Sequence, residues 1–381
     1  MKKCVLRSWQ WLTACLLLVC TINTVQADEI KMKDVTGRDV VLSQPAKRII
    51  LADSRALQAL QLVSPDKPFA SLVAWDDSLK SKAPDLYSLY VKQAPELKKL
   101  PVFQNPFFSD FSVEKAIVLQ PDLIIFDAGV QSKLAESGVM KQLDALKIPV
   151  AFIDFRLRPL TNTPVSIRLL GQALGNEKAA DHYIQFYQSR LDLIKQRTAS
   201  LTDAQRVHVF IERHAGMTGD ECCFTYGGGS FGEFIQVAGG DNIGSQFFPG
   251  KNGVLSLEQL ITSNPDAYLM TGADWGSTYK QNIGVPLGYH ADRTLSLQRM
   301  QHLLSRNGVN VLNAAKNQRA MTVYHQFYDN PLNVLVVEAI AKFLHPDLFK
   351  DLDPQADLEK VHSEMLKQPF DGVFWLALPA K

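Results

Sequence analysis

Between residues 30 and 160, short apolar runs alternate with segments whose apolar positions recur every three or four residues. Residues 48–52, 70–75 and 150–155 are continuous apolar runs of strand length, as is the run after Pro121-Asp122. Such runs fit strands buried on both faces. Between them, Ser54 precedes the stripe Ala56, Leu57, Leu60, Val63, and residues 134–146 carry a second helical stripe. Polar–apolar alternation on either side of Gly37 predicts a small hairpin over residues 33–42. Alternating strands and helices predict a largely parallel sheet covered by helices.

From residue 164 to about 200 the pattern is helical, interrupted only at Gly175-Asn176. Residues 177–197 alone would span roughly 30 Å at 1.5 Å per residue. A second alternating set follows, with strands at 206–212 and 320–324 and helices at 233–238, 295–307 and 331–344. A long polar loop rich in aromatic residues occupies 271–294. The expected fold class is α/β: two α/β lobes with mostly parallel sheets, joined by one long α-helix, with a ligand cleft between lobes. The divisions are 28–160, 161–200 for the linking region, and 201–381. A helical link is stiff, unlike a Gly/Ser tether, so large hinge motion is not expected.

One box occurs in both lobes. Residues 112–126 and 256–270 share Ser112/Ser256, Glu114/Glu258, Ile117/Ile261, Pro121/Pro265 and Asp122/Asp266. Each reads as a Ser N-cap, a two-turn helix with stripes Val113, Ala116, Ile117 and Leu257, Leu260, Ile261, a Pro-Asp stop and a buried strand. The glutamate falls in the first turn, off the apolar stripe, where the helix dipole favours negative charge.

Composition changes this picture at the N-terminus. Lys2, Lys3 and Arg7, the apolar run from Leu12 to Ile22, and Val25-Gln26-Ala27 form an export signal, with residues 1–27 removed near Ala27. The apolar run is half the roughly 20 residues a spanning helix needs. Leu12-Thr13-Ala14-Cys15 also fits lipoprotein processing, although Leu16 to Val19 would then fall after the modified cysteine. Without the leader, 37 basic residues face 39 acidic ones, which excludes a basic field for nucleic acid or a polybasic membrane patch. Of five cysteines only Cys222 and Cys223 remain, which excludes a disulfide-stapled framework. Adjacent cysteines read as two small buried side chains, with free thiols, a strained pair or a ligand contact as alternatives.

Ligands of parallel sheets bind beyond the carboxyl ends of the strands. Those loops hold Ser54-Arg55, Trp75-Asp76-Asp77, Phe107-Phe108, Gly129-Val130-Gln131 and Arg156-Leu157-Arg158. Arginines mixed with rings suit an anionic or aromatic ligand. Gly228-Gly229-Ser230-Phe231-Gly232 fits the nucleophile-elbow pattern, and Gly227, Gly229 and Gly232 fit a dinucleotide fingerprint. The plainer account is a capping box of Ser230 with Glu233. His214, His290 and His325 lie in separate loops without helical spacing, so no resident metal site is expected.

Taken together, several segments resemble the periplasmic substrate-binding proteins of iron-siderophore ABC transporters, a family that includes cobalamin and haem binders. They are Thr36-Gly37-Arg38, Arg48-Ile49-Ile50, Leu170 to Gly175, Gly239-Gly240-Asp241-Asn242, the second box, and Phe343-Leu344-His345-Pro346-Asp347. The resemblance implies two lobes around a rigid helix and no enzymatic activity. It also implies a surface glutamate on each lobe, here Glu114 and Glu258, docking on arginines of an inner-membrane ABC permease dimer. Positions where catecholate binders of the family carry arginine hold Val130 and Ser230. The place of a histidine that reaches iron in some relatives holds Lys251. Ligand candidates are therefore Arg55, Trp75, Phe107, Phe108, Arg156, Arg158, Arg213, His214, Tyr226, Trp275 and Tyr279. The expectation is a monomeric, exported carrier of a ferric siderophore, with no cofactor and no nucleic-acid partner. The alternatives are a haem or cobalamin carrier and, in another class, an exported serine hydrolase using Ser230.

Overall fold

The computed structural model describes residues 29–276 and 279–378. The expected leader and its lipoprotein alternative lie outside the described residues. The chain opens with an antiparallel hairpin of β1 (Ile30–Lys33) and β2 (Asp39–Leu42), turning where Asp34 Oδ1 accepts from the N–H groups of Thr36 and Arg38. The first lobe is a five-stranded, fully parallel sheet. Its strands are β3 (Ile49–Leu51), β4 (Leu72–Asp76), β5 (Val102–Phe103), β6 (Leu123–Asp127) and β7 (Val150–Ile153), ordered β5-β4-β3-β6-β7. Alternate residues serve opposite faces. Ile49 and Leu51 join the core beneath the linking helices, whereas Ile50 packs outward with Phe126 and Phe152.

The second lobe is built on β8 (Val207–Glu212). Outward from it on one side lie β9 (Phe224–Thr225), β10 (Gly240–Asn242) and β11 (Gly253–Val254). On the other side lie β12 (Ala267–Gly272) and then β14 (Ala320–Tyr324), both parallel. A separate pair, β13 (Gly288–Tyr289) and β15 (Gly372–Val373), precedes β16 (Trp375–Ala377), which closes the main sheet antiparallel to β14. The repeated box keeps its offset in three dimensions. Its helices are Val113–Val118 and Leu257–Ser263, its strands β6 and β12, and each strand lies beside the central one.

Local chemistry shifts several boundaries. Asp53, not Ser54, caps the first helical turn by accepting from the Arg55 N–H, and the α-helix proper is Leu57–Val63. The single helix expected over 134–146 is two, Gln131–Glu136 and Val139–Ala145, parted at Gly138 with φ +76°. Ser230 forms no capping bond, so the Ser230–Glu233 box is not made. Cys222 and Cys223 are bonded to each other, so they are a disulfide pair and not the two separate buried side chains expected.

Two helices join the lobes. The first, Pro159–Leu174, starts five residues earlier than expected and holds Pro164 inside it; the second is Glu177–Thr198. Its buried stripe, Ala180, Tyr183, Ile184, Tyr187, Leu191 and Ile194, links the cores of both lobes into one apolar cluster. Tyr183 donates to the carbonyl of Pro331 and Tyr187 to Asn333 Oδ1, both at 2.6 Å. Arg190 reaches Asp357 at 2.7 Å and fully buried Glu338 at 3.5 Å. Burial, reinforced by Asp357, pushes the Glu338 carboxyl up to about 8.

A carboxyl with a raised native pKa adds stability that is full below its ordinary range near 4.5 and is lost as pH rises through about 8. Glu338→Gln keeps the shape and removes the titration. The difference in melting temperature should move in favour of the variant as pH is raised from about 5 to about 9, measured by calorimetry in matched buffers.

Candidate functional site

The carboxyl ends of both sheets point at a shared cleft. From the first lobe come Arg55 after β3, Asn105, Phe107 and Phe108 after β5, and Arg156 after β7. From the second come Arg213 and His214 after β8, Trp275 after β12, and His325 and Tyr328 after β14. Together with Lys82 and Tyr279 they enclose a cavity of about 270 Å³.

The floor is a buried charge cluster. Arg55 binds Asp53 through two nitrogens, at 3.0 and 2.7 Å, and reaches across the lobes to Asp329 at 2.7 Å and the Tyr328 hydroxyl at 2.5 Å. Arg156 donates to Asp127 at 3.0 Å and stacks its guanidinium 4.6 Å from the centre of the Phe107 ring. Gly129 makes this possible, because a Cβ there would collide with the Arg156 guanidinium and the Asp127 carboxylate. Carboxylate oxygens of Asp53, Asp127 and Asp329 all lie within 4.8 Å of one another. Three buried acids face two guanidiniums, so the ionised cluster would carry one uncompensated negative charge. Burial pushes Asp329 up to about 7, against the pull of Arg55, and Asp127 up to about 6, against that of Arg156.

The walls are aromatic and cationic. Lys82 lies 5.5 Å over Phe108, which is 76% exposed. Arg213 lies over Phe224 at 4.9 Å and Tyr226 at 5.2 Å. Among the described residues neither Lys82 nor Arg213 has a carboxylate within ion-pair distance. His214 and His325 face each other, Nε2 to Nε2, at 3.0 Å. Burial, then the Arg213 and Lys82 charges, holds His214 down to about 3, and burial keeps His325 well below the ordinary imidazole range, so both rings are neutral at pH 7.

Eight of the eleven ligand candidates therefore meet at the cleft: Arg55, Phe107, Phe108, Arg156, Arg213, His214, Trp275 and Tyr279. Three do not. Trp75 is 3% exposed and packs against Tyr87, because β4 turns its indole into the lobe. Arg158 is exposed at the start of the linking helices, and Tyr226 is buried beneath Arg213 with its hydroxyl 3.4 Å from His325. Arg55, although at the cleft, is engaged by its own carboxylates. Residues the pattern did not single out are Asp53, Asp127, Asp329, Lys82 and Tyr328, and His325 was noted only as a scattered histidine. The available signal was an acid at or just beyond the end of several parallel strands: Asp53, Asp76 and Asp127.

Ser230 has the positive φ of an elbow, +53°, but its Oγ has no hydrogen-bond partner among the described residues, so no imidazole is in place to activate it. Glu114 and Glu258 are both exposed at the second position of their helices. Ile117, Leu257 and Ile261, expected on buried stripes, are 37–41% exposed beside them. Each helix lies on the surface of its lobe with only part of the stripe covered, Val113 and Ala116 in one and Leu260 in the other.

Removing one partner of a buried ion cluster strands the others. Arg55→Ala should lower unfolding free energy by about 3 to 5 kcal/mol. Arg213→Ala, which breaks no carboxylate ion pair, should stay within about 1 kcal/mol of the parent in the same urea titration.

Comparison with known proteins agrees with this architecture. The uncharacterised ABC transporter substrate-binding lipoprotein YvrC of Bacillus subtilis is 24% identical over 327 residues, covering 84% of this chain and 87% of the relative. The TroA-like periplasmic binding protein FepB of Veillonella parvula superposes with a TM-score of 0.85 at 26% identity, covering 92% of this chain and 99% of that one. CeuE of Helicobacter pylori, solved as a nickel–histidine complex, shares the fold with a TM-score of 0.61 at 16% identity, covering 90% and 97%. The model of the family described as periplasmic binding protein matches residues 66–325, and the chain belongs to that family.

Proposed function

We propose that this chain is the substrate-binding component of an ABC transporter, capturing an anionic metal chelate, a ferric siderophore, between its lobes for delivery to an inner-membrane permease. The observation that carries the ligand class is the pair of cleft cations left without carboxylates, Arg213 and Lys82, set among Phe107, Phe108, Trp275 and Tyr279. Positive charge without a protein partner favours a ligand that brings the missing negative charge. Faces of rings accept the flat parts of such a chelate. Arg55 and Arg156 play a different part, holding the floor in place. A haem or cobalamin carrier is the second reading, favoured by the same rings. The names of the relatives, a transporter substrate-binding lipoprotein and a protein solved with nickel–histidine, support a carrier over a hydrolase.

For the permease, Glu114 and Glu258 offer one carboxylate per lobe at matching helix positions, which suits a partner with two-fold symmetry. Each has an exposed apolar residue four positions away along the chain, Val118 at 81% after Glu114 and Val254 at 68% before Glu258. Docking surfaces combine exposed apolar side chains with charged groups at the rim.

Titration of the purified chain with ferric chelates, haem and cobalamin should quench Trp275 fluorescence with one class only, and Trp275→Phe should remove most of the signal. Arg213→Ala should weaken an anionic ferric chelate by about tenfold or more, an effect that shrinks in high salt. Failure of every member of the panel to bind refutes the carrier. Charge reversal at both glutamates, Glu114→Arg with Glu258→Arg, should abolish uptake by cells while leaving ligand affinity intact; a fall in affinity refutes the docking assignment.

A further inference from the structure

The facing histidines of the cleft have a geometry that charge attraction does not require. His214 follows β8 and His325 follows β14, yet their Nε2 atoms lie 3.0 Å apart. One threonine meets both residues, through the backbone of His214 and the ring of His325. The His214 backbone N–H donates to Thr271 Oγ1 at 2.8 Å, and His325 Nδ1 lies 3.1 Å from the same oxygen. The Tyr226 hydroxyl is a further partner for that Nδ1, at 3.4 Å. Trp275 closes on both rings, with centroids 5.4 and 5.5 Å away, and Tyr328 lies 4.8 Å from His325. His214 occupies the left-handed backbone region, φ +58°, which a residue with a Cβ adopts only when its surroundings demand it. Among the described residues, neither Nε2 has any partner but the other.

Metal–imidazole bonds run about 2.0–2.1 Å, so two nitrogens at right angles on one ion lie about 3.0 Å apart. Ligands on opposite sides of an ion would lie about 4.2 Å apart. The spacing is that of a hydrogen bond and equally that of neighbouring positions on one metal, so both nitrogens can turn to an ion without the rings moving apart. A bare dication meets the adjacent Arg213 and Lys82 charges and is repelled. A metal already wrapped in an anionic ligand is not.

We propose that His214 and His325 both ligate the metal of the cargo, filling two adjacent coordination positions that the chelator leaves open. The cargo class is thus an anionic complex of a first-row transition metal whose chelator is tetradentate rather than hexadentate. Two water ligands leave as the two Nε2 lone pairs bind. The proton shared between the rings moves to Nδ1, which on His325 donates to Thr271 or Tyr226. Supporting groups of this kind orient a ligating imidazole. The assignment rests on the anionic-chelate reading above and adds to it the coordination by protein.

The test uses two nickel complexes and the mature chain without an affinity tag. Nickel nitrilotriacetate is anionic with two adjacent positions open; nickel ethylenediaminetetraacetate is anionic with none. The first should bind at least about tenfold more tightly than the second, with a shift of the nickel visible bands toward nitrogen ligation. His214→Asn and His325→Gln should each weaken the first complex by about tenfold or more and leave the second unchanged. Circular dichroism and melting temperature establish that each variant is folded, and the partly exposed His214 supplies the safer one. Equal affinity for both complexes, unchanged in the variants, overturns coordination while leaving the anionic-chelate carrier standing. No binding of the open complex overturns it too, and so does binding that is lost with His208→Ala on the surface instead. The carrier itself is judged separately, by the panel of ferric chelates, haem and cobalamin.

Discussion

Charges taken out of water must be matched, and the seam between the lobes is built on that requirement. Asp53, Asp127, Arg55 and Arg156 come from the first lobe and Asp329 from the second. Neither lobe can satisfy its share alone, because Arg55 spends one nitrogen across the boundary on Asp329. The cluster therefore sets the distance between the strand ends, and with it the spacing of the aromatic and cationic walls above. The 22-residue helix Glu177–Thr198 sets the same distance from behind, through Tyr183 and Tyr187. Site and scaffold are held by one set of contacts, with Arg55 inside that set and Arg213 outside it.

Much of the fold was legible because it rests on local rules. Continuous apolar runs bounded by turns became the parallel strands of the first lobe, and Gly175 ended the first linking helix in the left-handed conformation that glycine takes freely. The two boxes were readable as a repeat because Ser112 and Ser256 cap their helices in the same way, by accepting from the backbone N–H three residues on. Where the reading slipped, a short-range alternative competed. Asp53 outcompeted Ser54 as cap, and Gly138 broke a helix that periodicity alone continued.

The site was legible by position and not by partner. Loops at the carboxyl ends of parallel strands gave the right neighbourhood, and most of the named side chains meet there. What sequence spacing could not show was which arginines are free. Arg55 and Arg213 look alike along the chain, yet one is buried among carboxylates and the other lies on two rings. The pairing of His214 with His325 was hidden for the same reason, since 111 residues separate them and only the sheet order of β8, β12 and β14 brings their loops together. Trp75 misled because an aromatic at a strand end can turn inward as readily as outward.

The seam is closed by more than the ion cluster. Gln58 bonds to Tyr289 and Asn330, Gln61 to the Leu366 carbonyl, Asp85 to Tyr324 and Tyr289, and Gln326 to the Lys82 carbonyl. Each is buried or nearly so, and each joins one lobe to the other. A hydrogen bond of this kind is worth about 1 kcal/mol net. Prying the halves apart would forfeit them together, so thermal agitation alone seldom parts them. Opening the cleft by separating the halves would therefore carry the combined cost of all these bonds.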